Sequence, residues 1–282
     1  MTKKKGFALI LLFSLTVAVI WFGMDYQKNQ KAQLLDPTGN EASANSSTKK
    51  ESSADAVGQL EDFEKKRENL SVLDYLTYLT LKNKGATVSF YGDISENETW
   101  PTAVENYIME QTNQNVSVHR VPFPDFDSYR LLEENTAETL AEEPSDIVFF
   151  QLPVYGDQVR DISLTDSGSY LSEDYEAIKK ALPEALVIFV TPNPSSIRQG
   201  DFNSRTLDYT SYLDQAITIA AENAIPLFDL HAEYEAELET NNLDLSDTLA
   251  DDAKQLNVQG AEIYSKLFIE QLNAPIDTTS GL

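Results

Sequence analysis

The stretch Ala86-Thr-Val-Ser-Phe-Tyr-Gly-Asp-Ile-Ser-Glu-Asn-Glu-Thr-Trp100 joins an apolar run to a polar turn and then to the start of a helix. Its first part predicts a strand over Thr87–Tyr91, because β-branched and aromatic residues favour buried strands. Gly92 and Asp93 end that strand, and Trp100-Pro101 opens a helix, since proline is favoured in the first helical turn. A strand, a tight turn and a helix in this order form the first half of a βαβ unit.

The same order recurs along the chain. Four more apolar runs predict strands over Val116–Val121, Asp146–Leu152, Leu186–Thr191 and Pro226–Leu230. Amphipathic patterns predict a helix that begins after Ser71 and ends near Lys84, and further helices over residues 101–113, 127–142, 170–182, 206–223, 231–240 and 257–272. Continuous apolar strands are typical of a parallel sheet covered on both faces. The sequence therefore predicts an α/β fold: a doubly wound, flavodoxin-like, five-stranded parallel sheet in three α/β/α layers.

Charge and composition exclude several classes of function. The 282 residues carry 46 acidic and 21 basic side chains and no cysteine. Because such an acidic surface repels phosphate groups, we expect no nucleic-acid partner. Without cysteine there is no disulfide, thiolate metal site or cysteine nucleophile. The acidic run 244–252 lacks the glycine and the terminal glutamate of a calcium loop, and no glycine-rich phosphate loop occurs, so we expect neither metal nor cofactor.

The N-terminal sequence predicts a membrane anchor. Residues 6–24 are uncharged and mostly apolar, and as a helix they would span about 28 Å, close to the thickness of the hydrocarbon core of a bilayer. Bulky Trp21 and Phe22 stand where a signal peptidase needs small residues, so the segment is predicted to remain uncleaved. The lysines within residues 1–5 predict a cytoplasmic tail and an extracellular C-terminal domain, which gives a single-pass protein of the cell membrane.

The rest of the chain divides by composition. Residues 25–59 are mostly polar and are predicted to form a flexible stalk, because they bury too little apolar surface to offset the entropy of ordering. A compact domain is predicted over residues 60–273. Residues 274–282 are expected to be a loose tail.

The turn at Gly92-Asp93 resembles the first signature block of the SGNH/GDSL hydrolases, in which a strand ends in Gly-Asp-Ser and the serine is the nucleophile. Ile94 stands in the serine's place. In that family the second block supplies the backbone N–H of a glycine, but residues 121–126 contain no glycine. In the third block Pro153 replaces a glycine and Tyr155 replaces an asparagine.

The last block of that family is Asp-x-x-His before a helix. Here Asp252, Asn257 and Gly260 fall in register, but Gln255 occupies the place of the histidine. The resemblance covers about residues 85–272 and implies the SGNH-hydrolase fold and an ancestry in ester hydrolysis. Isoleucine has no lone pair for attack, and a glutamine amide cannot accept a proton at neutral pH. The sequence therefore predicts a non-catalytic binding or accessory protein of the cell envelope, with a cell-wall glycan or an envelope protein as partner.

Other interpretations stay open. Ser95 lies one residue past the usual position, and His231 follows the fifth predicted strand, so the two could form a relocated dyad in an active esterase or O-deacylase acting on cell-surface glycan. Tyr155 and Phe123 could instead line a remnant pocket and stack on a sugar. A third interpretation is an interaction module that recruits a partner through its acidic face.

Overall fold

The structure is a computed structural model and describes residues 57–281. Its strands lie close to the predicted positions. They are β1 (Leu70–Ser71), β2 (Ala86–Gly92), β3 (Val116–Pro122), β4 (Ile147–Gln151), β5 (Leu186–Val190), β6 (Leu227–Phe228) and β7 (Pro275–Ile276). Five of them form one sheet in the order β3-β2-β4-β5-β6, and every pairing in it is parallel. The predicted α/β fold with a five-stranded parallel sheet is confirmed.

Helices cover both faces of this sheet. They are α1 (Val72–Asn83), α2 (Trp100–Gln111), α3 (Ser128–Glu133), α4 (Val154–Arg160), α5 (Leu164–Ala181), α6 (Tyr209–Glu222), α7 (Leu230–Asn241) and α8 (Val258–Asn273). On β4, Ile147 and Phe149 enter one hydrophobic core while Val148 and Phe150 enter another, because successive strand side chains point to opposite faces. Helices α1, α2, α7 and α8 close the first core, and α3 to α6 close the second.

Two helix predictions differ from the structure, and one helix was not predicted. The segment 127–142 is not one helix: Asn135 adopts a left-handed backbone with φ of 51°, which separates α3 from the 3-10 helix Thr136–Ala141. Helix α5 begins before the predicted residue 170, because Ser163 caps it by accepting a hydrogen bond from the backbone N–H of Asp166 at 3.1 Å. The short helix α4 had no predicted counterpart.

The C-terminal residues 274–282 differ from the predicted loose tail over their described part. Strand β7 pairs antiparallel with β1, with Ile276 opposite Leu70. Thr278 is fully buried, and its hydroxyl donates to the carbonyl of Arg67 at 2.7 Å. The pairing of β7 with β1 and the hydrogen bond of Thr278 attach this segment to the domain.

The predicted cytoplasmic tail 1–5 and membrane anchor 6–24 lie outside the described residues, and so does the predicted stalk 25–59 up to residue 56. Residues 57–64 are helical, so the last part of the predicted stalk already belongs to the folded domain. Leu60 and Phe63 pack against the first hydrophobic core. Of the helices between residues 57 and 281, none combines the length and hydropathy that a membrane span needs.

Candidate functional site

Several loops meet at the carboxyl edge of the parallel sheet, where α/β proteins place their reactive groups. They enclose a pocket of about 50 Å³, called the serine pocket below. Its lining residues are Asp93, Ser95, Glu98, Pro124, Asp125, Gln151, Tyr155, Pro192, Asn193, Lys254 and Gln255.

The turn after β2 depends on Gly92 and Asp93. Gly92 has a φ of 108°, and a Cβ placed there would lie 2.4 Å from the carbonyl oxygen of Gln151 on the neighbouring strand, so only glycine fits. The Asp93 carboxylate accepts a hydrogen bond from the backbone N–H of Asp125 at 2.8 Å, which joins this turn to the loop after β3. Burial raises the pKa of Asp93, and the nearby ammonium of Lys254 partly opposes that shift.

The next two residues point in different directions. Ile94 is 2% exposed and belongs to the first hydrophobic core, so its side chain does not line the pocket. Ser95, the following residue, does line it. The hydroxyl oxygen of Ser95 accepts a hydrogen bond from the side-chain amide of Gln255 at 3.2 Å. Ile94, which stands in the place of the family's serine, therefore does not line the pocket, and Ser95 is the hydrogen-bond partner of Gln255.

The loop before α8 is held by the residues that matched the family's last block. Asp252 accepts hydrogen bonds from the backbone N–H groups of Lys254 at 3.0 Å and Gln255 at 2.8 Å. Asn257 caps α8 by accepting from the N–H of Gly260 at 3.0 Å. These bonds fix where the side chain of Gln255 enters the pocket.

The charges of the pocket are mostly negative. Asp93, Glu98 and Asp125 contribute carboxyl groups, and Lys254 is the one cationic side chain among the described lining residues. Its ammonium lies 2.5 Å from a carboxylate oxygen of Asp125 and 5.5 Å from the centre of the Tyr155 ring. Burial raises the pKa of Glu98 to about 7, although the indole N–H of Trp100 donates to that carboxyl group and favours its charged form.

Donors that could stabilise an oxyanion already have partners. The backbone N–H of Phe123 donates to the carbonyl of Gly92 at 2.8 Å. The amide of Asn193 donates to the carbonyl of Lys254 at 3.0 Å, and the phenol of Tyr155 donates to the carbonyl of Asn193. Pro153 is the residue before α4 and does not line the pocket.

The two histidines lie elsewhere. His231 is 5% exposed, with Nε2 2.9 Å from the hydroxyl of Tyr209 and Nδ1 3.7 Å from the carboxylate of Glu235. Burial lowers its pKa. His119 pairs with Glu143 at 2.5 Å. No imidazole lines the serine pocket within residues 57–281, so the structure does not form the relocated dyad of Ser95 and His231.

The aromatic residues proposed to stack on a sugar are also separated. Tyr155 lines the pocket but is 4% exposed, and its ring contacts that of Tyr209 at 5.1 Å. Phe123 packs against Tyr91 and Phe126 instead, with ring centres 5.6 and 5.3 Å away. An open aromatic platform is therefore not formed by this pair.

Five polar pocket residues were not singled out from the sequence: Glu98, Asp125, Gln151, Asn193 and Lys254. Asn193 and Asp125 follow predicted strands and could have been found by inspecting the end of every strand. Glu98 and Lys254 enter through turns whose shape the pattern of residues does not reveal. In the part of the chain that the structure describes, no three His, Asp or Glu side chains come together in a way that could hold a metal ion.

Comparison with known proteins identifies the fold. No family model matches the sequence, and no curated protein matches it at a significant level. A GDSL-like lipase from Parabacteroides merdae shares the fold with a TM-score of 0.51 at 11% identity, over 66% of this chain and 95% of the lipase. An acetyl-xylooligosaccharide esterase from Geobacillus stearothermophilus gives 0.53 at 17% identity, over 67% and 94% of the two chains. At such identities the similarity establishes the fold alone, and it confirms the predicted SGNH/GDSL hydrolase-like fold.

Proposed function

We propose that the protein is a non-catalytic binding or accessory protein of the cell envelope, built on an SGNH/GDSL esterase-like fold. The observation that carries this proposal is the hydrogen bond from the Gln255 amide to the hydroxyl oxygen of Ser95. A serine nucleophile needs a base that accepts its proton. Gln255 instead directs a donor at Ser95, so the hydroxyl proton has no acceptor on that side.

Charge supports the same conclusion. Ester cleavage by a serine builds negative charge on the substrate oxygen, and active sites stabilise that charge with aligned donors. The amide of Asn193, which lines the serine pocket, and the backbone N–H of Phe123, one residue before the lining residue Pro124, already donate within the protein. The pocket holds three carboxyl groups, those of Asp93, Glu98 and Asp125, against the single cation of Lys254, which is already paired to Asp125, so its charges do not favour the developing anion.

The size of the pocket is a further argument. Sites for small molecules usually enclose about 300–1,000 Å³. The serine pocket, at about 50 Å³, has room for little more than ordered water. Binding of a glycan or of an envelope protein would therefore use the surface around this edge rather than the pocket itself.

A serine-reactive fluorophosphonate probe tests the proposal on the full chain. We expect no labelled serine, with an active esterase as the positive control. Stoichiometric labelling that disappears in Ser95→Ala would overturn the non-catalytic assignment. The same probe on Ser89→Ala, a buried serine outside the pocket, serves as the matched control.

The location is part of the same proposal and is supported by the apolar residues 6–24 and the lysines before them. Because the chain has no cysteine, single cysteines can report which side of the membrane each segment occupies. A membrane-impermeant maleimide on intact cells should label Ser47→Cys and should label Thr2→Cys only after lysis. Labelling of Thr2→Cys in intact cells would contradict the proposed orientation.

An esterase that uses Ser95 is the second candidate, because one observation favours it. Glu98 lines the same pocket, accepts a hydrogen bond from the backbone N–H of Ser95, and has a pKa raised to about 7, in the range of a general base. Turnover of p-nitrophenyl acetate that is lost in both Ser95→Ala and Glu98→Gln would favour this candidate. Equal background rates in wild type and both variants would eliminate it.

A further inference from the structure

Asp174, on helix α5, is a buried carboxyl group without a partner. Its side chain is 2% exposed, and Oδ2 is fully buried with no hydrogen-bond donor. The contrast is Asp157, also buried, whose carboxylate accepts hydrogen bonds from Ser128 at 2.7 and 2.8 Å and from Ser167 at 2.5 Å. Proteins almost always pair buried polar groups, so a single unpaired carboxyl group requires a reason.

Asp174 is one of the residues that line a cavity of about 450 Å³, which is called the Asp174 cavity below. It lies between α3, the 3-10 helix Thr136–Ala141 and α5, and shares no lining residue with the serine pocket. Its volume is in the range of sites for small molecules. The walls are mainly small and apolar, from Leu131, Leu132, Ala137, Ala141, Ala177 and Ala181, with Asn135, Glu138 and Lys180 as the other polar members.

The charge around Asp174 selects the sign of a ligand. Charged and titratable groups near it on the surrounding elements are Asp127 before α3, Asp157 on α4, Glu173 on α5, Tyr91 on β2, and Glu138 and Lys180 at the cavity. The neighbouring carboxylates and burial together hold the pKa of Asp174 well above its usual range. Carboxyl groups outnumber the cations Lys180 and Arg160, the second of which is paired to Asp127 at 3.2 Å, so this environment favours a cation over an anion. A cation with an N–H group would also supply the missing hydrogen bond.

We propose that the Asp174 cavity binds a small apolar primary amine, with the ammonium group paired to Asp174 and the apolar body against the alanine and leucine walls. The inference is independent of the function proposed for the serine pocket. It assigns a role to the one buried carboxyl group that makes no hydrogen bond or ion pair with any residue from 57 to 281. A neutral donor would fill the same space but would leave the negative potential uncompensated.

Binding is coupled to a proton. In the free protein the raised pKa favours the protonated form of Asp174 over the carboxylate. The amine enters as its ammonium form, the carboxyl group gives up its proton to solvent, and the complex holds a carboxylate–ammonium pair. One proton is released for each amine bound, up to the fraction of Asp174 that was protonated.

Calorimetric titration of the full chain with benzylamine and with benzyl alcohol tests the proposal, because the two probes have similar shapes and differ in charge. We expect benzylamine to bind about ten-fold more tightly, as expected for a charge-assisted pair. Proton release should appear as a binding enthalpy that depends on the ionisation enthalpy of the buffer. Asp174→Asn should reduce the preference to within about two-fold. Glu176→Gln, on an exposed residue of the same helix that does not line the cavity, should retain it.

Ala177→Phe fills the cavity while leaving Asp174 in place, so it should lose both ligands. If Asp174→Asn does not unfold in a cooperative thermal transition, Ala177→Phe still tests whether benzylamine binds in the Asp174 cavity. Three results would overturn the proposal: equal affinities for the two probes, unchanged benzylamine binding by Ala177→Phe, or no binding of benzylamine by the wild-type chain.

Discussion

The loop before α8 and the serine pocket that it borders use their polar side chains in different ways. In the loop, Asp252 and Asn257 accept hydrogen bonds from backbone N–H groups and so determine the path of the chain. In the pocket, Ser95 and Gln255 bond to each other through their side chains. The groups that hold the backbone therefore agree with the last block of the resembling family, whereas Gln255, which faces the pocket, does not. The intact frame is consistent with the hydrolase-like fold without requiring its chemistry.

The largest loss of stability is expected from Gly260→Ala, which would disturb the contact between the first turn of α8 and the loop before it. A Cβ at this position would lie 2.1 Å from the carbonyl oxygen of Thr248 and 2.9 Å from the hydroxyl of Tyr234. The backbone of the loop would have to move, so we expect a loss of about 2–4 kcal/mol in the free energy of unfolding. Urea denaturation of the full chain measures it.

Gly58→Ala is the matched control for that substitution. Gly58 is in the helical residues 57–64, and a Cβ there meets nothing within 4 Å. Alanine should stabilise the helix by about 0.5–1 kcal/mol. Equal effects of the two substitutions would show that the loop tolerates displacement and does not form a rigid frame.

The second effect concerns Asn257, which has two functions in the loop. Its side-chain oxygen caps α8, and its amide donates to the carbonyls of Asp247 at 2.8 Å and Leu249 at 3.1 Å. Asn257→Ala loses the cap and both donors, so we expect a loss of about 2 kcal/mol. Asn257→Asp keeps the cap acceptor and loses the donors, so its loss should be smaller. Equal losses in urea denaturation would mean that the cap contributes nothing.

The sequence predicts the loop better than the pocket, for a physical reason. Backbone requirements leave local signals: Gly92 is needed for a positive φ, and Asn257 stands three residues before the N–H that it caps. The three central strands β2, β4 and β5 also appear directly in the sequence, since burial on both faces demands mostly apolar residues. Such features could be predicted, and the fold is confirmed.

No local pattern in the sequence predicts the direction in which a side chain points within a turn. Ile94 aligns with the nucleophile of the resembling family, yet the turn directs it into the core and exposes Ser95 to the pocket. The approach of Lys254 to Asp125 depends on two loops distant in sequence. The same holds for Asp174, whose lack of a partner is a property of packing between α3 and α5.

The third effect is a pH dependence that arises from Glu98. Its folded-state pKa, about 7, lies above the ordinary value of 4.5 because of burial and the nearby charge of Asp93. As pH rises from about 4.5 to 7, the unfolded chain releases this proton first, so stability contributed by Glu98 falls with rising pH. Glu98→Gln should therefore gain about 1–2 kcal/mol relative to wild type when pH is raised from 4 to 8.

Urea denaturation at both pH values gives that difference. Glu96→Gln, on an exposed residue of the same turn, is the control and should change the pH dependence little. If the pH dependence of Glu98→Gln matched that of wild type, the carboxyl group would be solvated and the pocket open.

The smallest effects are expected from the pair that faces the pocket. Ser95→Ala removes two long hydrogen bonds, from the Gln255 amide at 3.2 Å and from the backbone N–H of Asn97 at 3.4 Å, so we expect a loss of about 0.5–1 kcal/mol. Ser89→Ala, which breaks a fully buried hydroxyl pair of 2.6 Å with Ser145, should cost more. A loss at Ser95 as large as that at Ser89 would place Ser95 among the structural residues and remove the contrast between pocket and loop.

Gln255→His restores an imidazole opposite Ser95 and tests the same contrast chemically. The bonds of Asp252 to the backbone should keep the loop in place, so the free energy of unfolding should change by less than about 1 kcal/mol. The carboxylates of the pocket and its occupied donors remain, so we expect no fluorophosphonate labelling and no turnover of p-nitrophenyl acetate. Labelling of Ser95 in this variant would show that the base alone was missing, and that the charge of the pocket does not prevent catalysis.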